Sequence, residues 1–78
     1  MHAERLVEMV NDIAAFFASD PDPITAADGI AQHVRRFWDP RMREAILQHL
    51  EAHQGEGLSP LGIAGIQALA RLQGVAPA

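Results

Sequence analysis

The 78-residue chain reads as an all-α protein, a small four-helix bundle-like domain, on three observations. Its apolar residues recur at the 3.6-residue helical period rather than alternating as they would in strands. Asp39-Pro40 and Ser59-Pro60 are helix-start pairs, a capping oxygen followed by a proline whose missing amide is harmless in a first turn. The stretches between are closed by proline or glycine, at Pro21 to Pro23, at Gly55 and Gly57, and at Gly74.

The first helix is expected over residues 4–18. Leu6, Met9, Val10, Ile13, Phe16 and Phe17 fall in one stripe about 120° wide, opposite Glu4, Glu8 and Asn11, which reads as a core face. Ser19-Asp20-Pro21-Asp22-Pro23 then ends the helix. The second helix is expected from about Ile24 to Trp38. Thr25 and Asp28 approximate a capping box, with Asp22 before Pro23 as a rival start, and Ile24, Ala27, Ile30, Ala31, Val34, Phe37 and Trp38 form its apolar face. Gly29 inside that helix costs about 1 kcal/mol against alanine and marks an expected close approach by another helix.

The third helix is expected over residues 40–53, with Met42, Ala45, Ile46 and Leu50 at helical spacing and a glycine-rich end at Gln54 to Gly57. The fourth is expected over residues 60–73, with Leu58 stapled to Ile63. It is apolar nearly all round. Leu61, Gly65, Ala68 and Leu72 make one face, and Ile63, Ile66 and Ala70 the opposite one, so its second face is expected to need cover from another subunit or another copy. Val75 to Ala78 is expected as a frayed tail.

Size and charge narrow the function classes. A chain this short makes one domain over residues 1–78 with no room for a deep cleft, and with no cysteine it has no disulfide framework. No apolar run reaches the ~18 residues a spanning helix needs, and no signal peptide is evident, so a soluble cytoplasmic protein is expected. The net charge of −4 is polarised, with −4 over residues 1–23 and +3 over residues 35–43. One small basic patch on an acidic chain does not make a general nucleic-acid binder, because such binding draws on many neutralised phosphates.

Candidate chemistry is sparse. His49 and His53 stand four residues apart on one helical face, but Leu50 occupies the place where a His-Glu-Xaa-Xaa-His site carries its glutamate. Carboxylate pairs such as Asp20 with Asp22 and Glu4 with Glu8 lie in a linker or on a polar face, with nothing to tune them for acid-base work. No catalytic, cofactor-binding or metal-ligating residues are therefore assigned. The stretch around which the rest is organised is Arg35-Arg36-Phe37-Trp38-Asp39-Pro40-Arg41-Met42-Arg43, a sharp helix-helix corner holding four of the six arginines and the only tryptophan. Arginine suits bidentate carboxylate contacts and tryptophan suits interface anchors. The expected partner-binding residues are Arg35, Arg36, Trp38, Asp39, Arg41 and Arg43, together with Ile63 and Ile66 on the fourth helix.

The heptapeptide Phe37 to Arg43, preceded by Ile30-Ala31-Gln32-His33-Val34-Arg35-Arg36, resembles the small delta subunit of cytoplasmic NAD-dependent, molybdenum-containing formate dehydrogenases. The opening run Leu6 to Phe17 and the closing Leu58-Ser59-Pro60-Leu61 are also similar to that family. The resemblance implies a non-catalytic accessory subunit that docks on the large catalytic subunit and supports assembly, cofactor insertion or quaternary stability. It also implies that the molybdenum cofactor, iron-sulfur clusters and flavin reside in partner subunits, with no cofactor in this chain. The alternative reading is a free-standing homodimeric helical regulator that self-associates when isolated and binds nucleic acid through the Asp39-Pro40 corner.

Overall fold

Three of the four helices begin at a proline with an oxygen cap one residue before it. In the computed structural model, which describes residues 2–74, the helices are α1 (Ala3–Phe17), α2 (Pro23–Phe37), α3 (Pro40–His53) and α4 (Pro60–Leu72), with no strand among the described residues. The Asp22 carboxylate accepts from the Ile24 amide at 3.0 Å, Asp39 from Met42 at 3.0 Å, and the Ser59 hydroxyl from Gly62 at 3.0 Å. Each cap satisfies an amide that has no partner within its own helix. Asp22-Pro23, the rival start, is thus the one used. Thr25 serves that cap by donating its hydroxyl to the other Asp22 oxygen at 3.0 Å, instead of forming a cap with Asp28. The tail expected over Val75 to Ala78 lies outside the described residues.

The buried stripe of α1 is rotated from the expected one. Leu6, Val10 and Ala14, spaced i, i+4, i+8, are buried, while Phe16 at the edge of the stripe is 77% exposed. On α2 the core face is Ala26, Ala27, Ile30, Ala31 and Val34. Ile24 and Phe37, expected on that face, are 80% and 68% exposed. Both belong to the first and last turns of the helix, beyond the reach of the neighbours that cover its middle.

The larger correction concerns α4. The chain itself covers most of both apolar faces, with α2 packed most extensively along it and α1 and α3 against the rest, and leaves Leu72 in the last turn 39% exposed. Ile66 and Leu69 are wholly buried, and Ile63 is partly buried against the core. Glycine makes this central position feasible. A Cβ on Gly65 would stand 2.5 Å from Cγ2 of Ile30, so α2 approaches to a distance that a larger residue forbids. The expected close approach at Gly29 is also present, made by the Phe17 ring: a Cβ there would meet its Cε1 at 2.5 Å.

α3 contributes least to the interior, with only Ile46 fully buried. It ends at Gln54, which takes the left-handed conformation with φ of 55°, followed by Gly55 at 72°. Leu50, Leu58 and Ile63 converge over Gly55, which fits the staple expected at the start of α4. Asn11, expected on the solvent face of α1, instead joins that helix to the α3–α4 loop. Its side chain donates to the Gly57 carbonyl at 3.0 Å and accepts from the Ser59 amide at 2.9 Å. No described helix is long and apolar enough to cross a membrane.

Candidate partner-binding site

At the Asp39-Pro40 corner, the residues expected to face a partner divide into three groups. Trp38 is 6% exposed and belongs to the core cluster with Val34, Ile46 and Leu69. Its extended backbone ends α2 and turns the indole inward, where a large apolar ring gains most. Trp38 and Ile66 therefore drop out of the surface set.

Asp39 and Arg43 are consumed by the corner's own architecture. Asp39 caps α3. Arg43 reaches back with Nη1 to donate to the Arg35 carbonyl at 2.9 Å and the Trp38 carbonyl at 2.8 Å. Those carbonyls belong to the unpaired end of α2, so the guanidinium closes the helix with a positive charge at the negative end of its dipole. Its Nε is buried without a hydrogen-bond partner. Arg43 also lines an open groove of about 470 Å³ between α3 and Gln73, with Pro40, Glu44, Leu47, Gln48 and Glu51.

Arg35, Arg36 and Arg41 are exposed. The ion pair found among the described residues is Arg5–Glu8 at 3.3 Å on α1, so among the described residues no carboxylate pairs with these three guanidiniums. Phe37 stands among them, its ring 4.9 Å from that of His33 and tilted by 44°. Three exposed arginines and one exposed aromatic ring thus fall within residues 35–41, a composition suited to carboxylates and apolar groups on another protein. Ile63 is partly buried beneath the surface of the core and lies in a different region of the chain.

Besides Phe37, two further residues that spacing placed on an apolar face are largely exposed. Phe16 and Ile24 flank the turn at residues 18–22, at the opposite end of α2 from the arginines. In that turn the Asp22 carboxyl is held below its ordinary value, first by the Ile24 amide and then by the Thr25 hydroxyl. A signal for Ile24 was available: it follows Pro23 directly, and the first turn of a helix often extends beyond its neighbours' cover.

His49 and His53 lie with ring centroids 5.6 Å apart. His49 Nε2 is 2.8 Å from the Glu56 carbonyl, which ties the ring to the end of α3. Among the described residues no three His, Cys, Asp or Glu side chains are gathered closely enough to hold a metal ion.

Comparison with known families gives a decisive match: residues 5–66 fit the family described as the NADH-dependent formate dehydrogenase delta subunit, FdsD. The chain belongs to this delta-subunit family. The matched range takes in α1 from Arg5 on, all of α2 and α3, the corners at Asp22-Pro23 and Asp39-Pro40, and the first half of α4. No curated relative and no solved structure matches the chain. A delta subunit is one component of a larger enzyme. An exposed Arg35, Arg36, Phe37 and Arg41 surface is the kind of feature that membership in an assembly calls for.

Proposed function

We propose that the chain is a non-catalytic accessory subunit of a cytoplasmic NAD-dependent formate dehydrogenase. In this reading it docks on the large catalytic subunit and supports assembly, cofactor insertion or quaternary stability. Formate oxidation and NAD reduction take place in other subunits, which hold the molybdenum cofactor, iron-sulfur clusters and flavin. The observation that carries the reading is the family match over residues 5–66. The exposed Arg35, Arg36, Phe37 and Arg41 supply groups of suitable chemistry for a contact, whereas Trp38, Asp39 and Arg43 are taken up by the packing and capping of the same corner.

Sedimentation of the purified chain alone and mixed with the large catalytic subunit tests this. A one-to-one complex is the expected result, and enzyme assembled without the chain should show a deficit in intact assembly or in cofactor content. A stable homodimer that ignores the large subunit would overturn the reading.

A further inference from the structure

The corner between α1 and α2 carries the two most exposed large apolar side chains among the described residues, Phe16 at 77% and Ile24 at 80%. Single exposed apolar residues are ordinary, but here two of them flank one short turn in a regular setting. Asp12 precedes Phe16 by four residues on α1, and Asp28 follows Ile24 by four on α2, so each apolar side chain shares a helix face with an aspartate. Asp20 and Asp22 occupy the turn between them. No lysine or arginine occurs from residue 6 to residue 34, so no cation from this segment offsets the negative rim.

The aromatic part of the corner is braced. Phe17 packs its ring on Gly29, and Phe16 meets Phe17 edge to face with centroids 5.1 Å apart and planes at 87°. A ring held in this way loses little freedom on binding, which is the property of an interface anchor. The negative rim selects the occupant. A nucleic acid or an anionic lipid surface is repelled, whereas a protein segment with cations beside apolar groups is attracted.

We propose that this corner is a second docking surface, taking a segment of the large catalytic subunit that carries Arg or Lys beside aliphatic or aromatic side chains. The proposal rests on the accessory-subunit reading. It adds a contact of opposite sign to the arginine corner, about 20 Å away at the other end of α2 at 1.5 Å per residue. Two patches of opposite sign fix the direction in which α2 lies on its partner.

The test is titration of the purified large catalytic subunit with the full chain at about 50 mM and about 300 mM salt, which differ in screening length. The variants are Phe16→Ser/Ile24→Ser, Asp12→Lys/Asp28→Lys and Arg35→Glu/Arg36→Glu. Asp20 and Asp22 are left intact because both accept backbone hydrogen bonds in the turn. Loss of Phe16 and Ile24 should weaken binding about 10-fold or more with unchanged melting. Reversal at Asp12 and Asp28 should weaken it by about 10-fold at low salt and by less at high salt.

Wild-type affinity in both of those variants, with loss only in the arginine variant, overturns this inference and leaves the accessory role standing. Absence of wild-type binding overturns the accessory role and the inference with it. A homodimer of the isolated chain that Phe16→Ser/Ile24→Ser abolishes, while binding to the large subunit stays intact, assigns the corner to a second copy and overturns the proposal.

Discussion

Asp22-Pro23 and Asp39-Pro40 start their helices with the same two residues, a carboxylate that accepts an early amide and a proline in the first turn. The chain just before each pair is treated differently. Before Asp39, Trp38 is turned into the core and Arg43 closes the carbonyl end of α2. Before Asp22, the chain takes five residues to turn, and nothing covers Phe16 on one side or Ile24 on the other. The capping chemistry therefore sets where each helix begins, while what fills the space behind the cap decides whether the corner is structural or available. One corner is filled by Trp38 and Arg43, and the other is held by local hydrogen bonds and by Phe17 on Gly29 while Phe16 and Ile24 stay outside.

Substitutions should separate the two, and the largest effect belongs to the filled corner. Trp38→Ala empties a core position and should cost about 3–5 kcal/mol in denaturant unfolding, enough to leave the isolated chain largely unfolded. A loss below about 1 kcal/mol would mean that the indole adds little to the core. Next comes Arg43→Met, which keeps much of the side chain's bulk and removes the donor to two carbonyls. Its expected cost is about 1.5–3 kcal/mol, with amide exchange rising first at the end of α2.

Asp39→Ala removes one cap and should cost about 1 kcal/mol, measured by the same unfolding curves. The smallest effect is a pH dependence at the open corner. Because folding lowers the Asp22 pKa, its stabilising contribution is present above the unfolded-state pKa and fades as pH falls through the folded value. The melting difference between wild type and Asp22→Ala should therefore narrow on acidification below the ordinary carboxylate range. A difference independent of pH would show that the charge on Asp22 is immaterial to the cap.

Helix number and two helix starts were legible because they depend on residues adjacent in sequence, Asp39 with Pro40 and Ser59 with Pro60; at α2 the Asp22-Pro23 pair competed in the sequence with Thr25 and Asp28, and the fold uses the pair. The all-helical class follows from the same local signals. Legibility ended where the answer depended on what lies across the core. Spacing puts Phe16 in the stripe of α1, yet the neighbours of α1 cover Ala14 and leave Phe16 out. Spacing also leaves one face of α4 spare, because the sequence alone does not show that Gly65 admits Ile30 closely enough for three helices to surround it. At the arginine corner, composition identified the right neighbourhood. It could not distinguish Arg43, whose reach back to α2 depends on the fold of the turn, from Arg35, Arg36 and Arg41 on the surface.

The Asn11 bridge has a bearing on where the chain can be lengthened. One amide side chain on α1 grips both Gly57 and Ser59, so the α3–α4 connection has a fixed span and a fixed path. Extra residues spliced in there would have to displace that grip, freeing a carbonyl and an amide at once. The five-residue turn after α1 has no such long-range tie among its hydrogen bonds, and an epitope tag or fluorophore site spliced beside Pro21 would leave the four helices in register. A probe placed there would also sit beside Phe16 and Ile24, reporting on that corner from a position the fold tolerates.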